Sequence, residues 1–153
     1  AQGLSTTDIA SLETRNISYY TTVGSKAMVQ GGKVSGGEWI DTIRFRDWLK
    51  TEIQSKVLNL LLGLSKVPYT DQGIALVQNA VIDALEEGVR AGGIVQDASS
   101  DDGEASRAYT VTVPRAADLD AATRKSRRLT GVTWTAQLAG ALIAAKIGGT
   151  LNY

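Results

Sequence analysis

The chain has 153 residues, 43% hydrophobic and 21% charged, with 16 basic and 16 acidic side chains and a formal net charge of zero. That is enough apolar material for one folded domain, and charge balance gives no general reason for binding nucleic acid or an anionic membrane. Cysteine and histidine are both absent. This excludes disulfides and thiolate chemistry and removes the usual general base and the commonest metal ligand, while catalysis by carboxylates, Lys or Tyr stays open.

No apolar run reaches the ~18–20 residues that span a bilayer. The start is polar and lacks the pattern of a secretory leader. It begins with Ala rather than Met, which reads as a fragment of a longer protein or a processed one.

Ala1 to Asn16 is polar and mixed, and reads as an arm or linker holding at most a short helix over Asp8–Arg15. Ile17 to Val23 is rich in β-branched and aromatic residues and predicts a strand. Ala27 to Val34 predicts a second, interrupted at Gly31-Gly32. After Gly36-Gly37, the stretch Glu38 to Arg44 fits both templates, and a strand running directly into a helix is expected.

Phe45, Leu49, Ile53, Val57 and Leu61 recur every fourth residue, which lines them along one face of a helix. Ile74, Val77, Val81, Leu85 and Val89 do the same after a connector over Gly63–Thr70. The two stripes must be buried on each other or on a shared sheet. Leu60, Leu61, Leu62 and Leu64 make the first helix apolar nearly all round at its end, which places that end either in a core or against another subunit. Thr70 or Asp71 is the expected N-cap of the second helix, and Gly92-Gly93 its stop.

Ile94 to Asp97 reads as a short strand and Ala98 to Arg107 as a solvated loop. Tyr109 to Val113 alternates cleanly and predicts a strand that Pro114 ends. Asp118 to Leu129 suits a short helix whose acidic start and basic end match the dipole. Val132 to Leu138 and Leu142 to Leu151 predict two more strands, with Ala139-Gly140 as a tight connection. The fold class expected is α+β: two long helices packed on a mixed, mostly antiparallel sheet, with a short third helix.

Gly36-Gly37-Glu38-Trp39-Ile40-Asp41, then Arg46-Asp47-Trp48-Leu49, then Lys66-Val67-Pro68-Tyr69-Thr70-Asp71-Gln72-Gly73-Ile74 resemble contractile tail sheath proteins of bacteriophages. Arg127-Arg128-Leu129-Thr130-Gly131 and Ala139-Gly140-Ala141-Leu142-Ile143 fit the last strands of the same family, whereas Lys146-Ile147-Gly148-Gly149 does not match it residue by residue. The resemblance runs from about Ile17 to the end. It implies a C-terminal sheath domain over 17–153 with the 1–16 arm before it. It further implies a subunit of the inner sheath layer around the tail tube, linked to its neighbours by strand exchange. The implied partners are other sheath copies and the tail tube protein, the implied place is the virion after assembly in the host cytoplasm, and no enzyme activity or cofactor is implied.

The residues expected at partner contacts are Leu142, Ile143, Ile147, Leu151 and Tyr153 on the last strand, with Arg124, Arg127 and Arg128 of the basic cluster. The bland readings are an internal hairpin strand and a solvated helix face. Nucleic acid is disfavoured because no aromatic residues interleave with the cluster. Asp41 and Asp47 each have an Arg close by, so ion pairs are expected there rather than acid–base work. Asp101-Asp102-Gly103-Glu104 lacks the ligand alternation of a calcium loop. Trp39 and Trp48 read as core or interface anchors. A monomeric α+β protein-binding module is the other functional class that fits.

Overall fold

The computed structural model describes residues 3–96, 98–99, 105–106 and 108–141. Helix α1, Thr6–Thr14, starts with a reciprocal capping box: the Ser5 side chain accepts from the Asp8 N–H, and the Asp8 carboxylate accepts from the Ser5 N–H at 3.1 Å. It leads into a hairpin of β1, Tyr19–Val23, and β2, Lys26–Gln30, paired antiparallel from Tyr19↔Gln30 to Val23↔Lys26. Tyr19 is buried; its hydroxyl donates to Glu13 Oε1 at 2.8 Å and lies 2.7 Å from Gln30 Oε1, tying α1 to the hairpin. The second strand is shorter than expected because Gly31 and Gly32 turn to φ 111° and 112°, a region open to glycine.

Lys33 and Trp39 form a single antiparallel bridge around the Gly36-Gly37 turn. Helix α2 then runs over Ile40–Gly63. The expected strand up to Arg44 is therefore replaced by the first turn of this helix. The reason is local: the Ile40 N–H is taken by the Gly32 carbonyl at 2.9 Å and the Ile43 N–H reaches back to Trp39 O at 3.2 Å, so 40–44 has no strand to pair with. Asp41 sits favourably in that first turn.

Helix α3 spans Asp71–Arg90, and the Thr70 side chain accepts from the Gly73 N–H at 3.2 Å, as its position before the stripe predicts. The connector closes tightly over the helix start: a Cβ on Gly73 would run into the Pro68 carbonyl. The two stripes pack on each other. Leu49, Val81, Leu85, Ile94 and Ala108 form the buried core, with Phe45, Ile53, Val57 and Val89 packed around them. At the far end of α3 a Cβ on Gly93 would collide with the Phe45 ring, so glycine lets the chain leave the helix against that ring.

The fold class is α+β, but the strands do not join one mixed sheet. Every described ladder is a separate antiparallel pair: β1 with β2; β3, Ala98–Ser99, with β4, Ala105–Ser106; and β5, Tyr109–Thr112, with β6, Thr133–Ala136. The β3–β4 pair lies inside the stretch expected to be loop. The expected strand at Ile94 is reduced to a bridge with Leu138. The expected 118–129 helix is split into a 3₁₀ turn, Ala116–Asp118, and α4, Ala121–Ser126. Asp120 caps α4 through the Thr123 N–H, and Arg127 stops it at φ 54°. Arg124 and Lys125 are thus helical, whereas Arg127 and Arg128 lie beyond the helix. The last predicted strand, Leu142–Leu151, lies outside the described residues.

Candidate assembly interface

The β5–β6 ladder fixes where main-chain polar groups point. The Gln137 N–H donates to Ala108 O at 2.8 Å, which makes Ala136 and Tyr109 a non-hydrogen-bonded pair in the register of this ladder. Alternation along an antiparallel strand then turns the N–H and C=O of Trp134 and Ala136 away from β5. Further on, the Val95 N–H donates to Gln137 O at 3.0 Å and the Ala139 N–H to Gly93 O at 2.9 Å, on either side of the Ile94–Leu138 bridge. The same alternation turns the Leu138 groups to that outer side. One edge of the run Thr133–Ala139 is therefore filled, first by β5 and then by Gly93–Val95. The opposite edge receives no hydrogen bond among the described residues.

Side chains on α3 hold the other flank of the ladder. Gln78 Nε2 donates to Val111 O at 3.1 Å, Asp71 Oδ1 accepts from the Ala116 N–H at 2.7 Å, and the Tyr109 hydroxyl donates to Glu86 Oε1 at 3.0 Å. The Val111 carbonyl on the outer side of β5 is thus taken by its own chain, and among the described residues the β6 edge is the open one. An open, uncharged edge is a template for another strand.

Beside that edge lies an apolar groove of about 610 Å³. Its floor is Ile53, Val57 and Leu61 of α2 with Ile74, Val77 and Val81 of α3. Val132 and Trp134 form one wall, Arg127 to Thr130 continue it, and Pro68 and Tyr69 close the end. The Tyr69 hydroxyl is buried with no hydrogen-bond partner among the described residues, a state that proteins seldom leave uncorrected. Past the groove, Leu58, Leu61 and Leu62 are 54%, 51% and 75% exposed. The described residues therefore do not bury this helix end in a core.

The predicted contact residues divide. Arg124 Nη2 donates to Ala116 O at 2.6 Å, so it braces the 3₁₀ turn. Arg127 and Arg128 stand on the groove wall, and neither pairs with a carboxylate among the described residues. Leu142, Ile143, Ile147, Leu151 and Tyr153 lie outside the described residues. Neither Ala139 nor Gly140 has a positive φ, and the strand that their expected connection would lead into lies outside the described residues. Sequence reasoning named the last strand and missed the open β6 edge. Its signal was the alternation of Val132, Trp134 and Ala136, but which edge is free depends on distant residues.

Glu38, Asp41, Asp47, Glu52 and Glu87 each have a local partner. Asp47 lies 3.9 Å from Arg46, which is 3.8 Å from Glu38, and Asp41 Oδ1 accepts from the Thr42 N–H at 2.8 Å. Lys56 bridges Glu52 of α2 at 3.6 Å and Glu87 of α3 at 3.7 Å. A hydrogen bond from Arg90 is the main reason the Glu87 carboxyl is held below its ordinary pKa, with the charges of Arg90 and Lys56 adding to it. Among the described residues no cluster of three acidic side chains is placed to hold a metal, and no helix is long and apolar enough to cross a membrane.

A family described as E217 tail sheath protein gp31-like, C-terminal domain, matches residues 40–151. The chain belongs to this tail sheath family. The match takes in α2, α3, the β5–β6 ladder and the groove, and leaves α1 and the first hairpin outside it. No curated protein matches the chain. The family is one of structural proteins of the phage tail sheath, and membership implies assembly with other sheath copies and a place in the virion tail.

Proposed function

We propose that this sheath domain is a self-assembling subunit of a contractile tail sheath, in the inner layer around the tail tube, joined to neighbouring subunits by exchanged strands. Residues 17–153 form the assembling domain and 1–16 an arm. The observation that carries the reading is the open edge over Thr133–Ala139, with the polar groups of Trp134, Ala136 and Leu138 facing outward beside an apolar groove. An added strand gains main-chain hydrogen bonds along such an edge, and alternate side chains gain the groove. The donor is the C-terminal segment with Leu142, Ile143, Ile147, Leu151 and Tyr153.

The exposed leucine ridge at the end of α2 serves a second contact, with another copy or the tube. Contraction is a change between alternative packings of such interfaces, which tend to be bistable, and needs no bond-breaking site. The subunit assembles in the host cytoplasm and resides in the virion tail. Electron microscopy of the purified protein tests this: tubes or rings are expected, and a persistent monomer at concentrations where sheaths form would count against it.

A further inference from the structure

Two uncharged apolar patches lie at opposite ends of α2. One is the outer face of the first hairpin, where Tyr20 and Val29 are paired across the strands and are 68% and 65% exposed. Thr22 and Ala27 share that face, so it carries no charge, whereas Tyr19 on the opposite face is buried. The other patch is the leucine ridge of Leu58 and Leu62 at the far end of the helix, in a stretch with no charged residue between Val57 and Ser65. By contrast, the exposed Trp39, Ile40 and Trp48 are interspersed with four charged residues between Asp41 and Asp47.

One chain cannot bring the two patches together. The hairpin is rooted at the start of α2, where the Gly32 carbonyl accepts from the Ile40 N–H at 2.9 Å. Val29 is three residues before Gly32, so its backbone stays within about 11 Å of that joint even when fully extended. Leu58 and Leu62 stand about 27 and 33 Å along α2 from Ile40, at 1.5 Å per residue. Each patch therefore needs cover from outside its own chain, and a two-stranded hairpin with a bare face is marginally stable in water without it.

Symmetry chooses between the possible pairings. Hairpin on hairpin, or ridge on ridge, is isologous and reverses the direction of each successive copy. Hairpin on ridge is heterologous: it leaves one free patch at each end, propagates into a ring or an open helix, and lets every copy present its β6 edge the same way. The ridge is also continuous with that edge, because Leu61 belongs both to it and to the groove floor.

Resting on the tube-forming reading above, we propose that the outer face of the first hairpin docks on the leucine ridge of the next copy, with Tyr20 and Val29 against Leu58 and Leu62. The contact joins a part of the chain outside the family match to a part inside it.

The absence of native cysteine makes the test clean. Thr22→Cys marks the hairpin face beside Tyr20, and Ser55→Cys marks the ridge face, one helical turn before Leu58 and two before Leu62. Chains of the two kinds are co-assembled, treated with a short bismaleimide and viewed by electron microscopy. The expected result is tubes whose main cross-linked product is the mixed dimer, several-fold above the dimer that either variant gives alone. Like-with-like dimers as the main product overturn the head-to-tail pairing. Tubes with no cross-linked dimer overturn the contact and leave strand exchange standing, whereas a parent chain that forms no tubes overturns the tube-forming reading and this contact with it. A second arm uses Val29→Glu: the dispersed chain should keep the helical content and Tm of the parent, while the yield of tubes falls by about tenfold or more. An unchanged yield of tubes from Val29→Glu overturns the assignment.

Discussion

Proline separates the two sides of β6. Ala136 points its N–H to the open edge, so Ala136→Pro removes no hydrogen bond from the chain's own ladder, and strand edges accept proline at such positions. Thr135 is paired with Thr110 in a hydrogen-bonded position, so Thr135→Pro deletes a ladder bond and drives its ring toward β5. One net hydrogen bond contributes about 0.5–1.5 kcal/mol, and with the steric conflict Thr135→Pro should cost at least about 2 kcal/mol. At roughly 2–4 °C per kcal/mol for a chain of this size, Tm should fall by about 4–8 °C or more. Ala136→Pro should stay within about 1 kcal/mol of the parent, since restricting the unfolded chain offsets small strain. Tryptophan fluorescence in urea reads stability, and sedimentation with electron microscopy reads assembly. Ala136→Pro should be stable and assembly-dead. Equal destabilisation by both variants would show that the ladder faces are assigned wrongly, and normal tubes from Ala136→Pro would show that the open edge is not used.

Three further outcomes are expected. Gly93→Ala, whose Cβ meets the Phe45 ring, should overpack and cost about 1–3 kcal/mol in urea unfolding, and adding Phe45→Leu should recover about 1 kcal/mol or more; strictly additive costs would contradict the contact. Leu62→Asp, at a position 75% exposed, should change stability by no more than about 0.5 kcal/mol while weakening assembly, and a large fall in Tm would mean the ridge belongs to the core. The Asp120 carboxyl is held below its ordinary value of 3.8 by hydrogen bonding from Thr123, side chain first and backbone second. Its contribution to α4 is therefore present above the unfolded-state value and lost as pH falls through the lower folded value. Amide exchange at Thr123 should quicken in that acid window, and Asp120→Asn, which still caps but does not titrate there, should flatten the profile.

Much of the fold was legible because it depends on local patterns. The fourfold recurrence from Phe45 to Leu61 and from Ile74 to Val89 placed both long helices, and Thr70 marked the start of the second through a side-chain cap. The failures came where distant partners decide. Residues 40–44 fit both templates, and the helix won because Gly32 rather than a neighbouring strand takes the Ile40 N–H. The helix expected over 118–129 was cut at both ends by Asp120 and by the left-handed Arg127. The open β6 edge was the least legible feature. The partner of 133–139 is made of two pieces, Gly93–Val95 and Tyr109–Thr112, and no local pattern says that they lie on the same side.

Hydrogen exchange at the amides of Trp134, Ala136 and Leu138 tests the central claim most directly, because these N–H groups find no acceptor among the described residues. They should exchange rapidly in the dispersed subunit, while the Gln137 amide, bonded to Ala108 O, is protected. On assembly all three should become protected together. Protection already present in the dispersed subunit, or rapid exchange persisting in intact tubes, would contradict an edge that is completed by a neighbour.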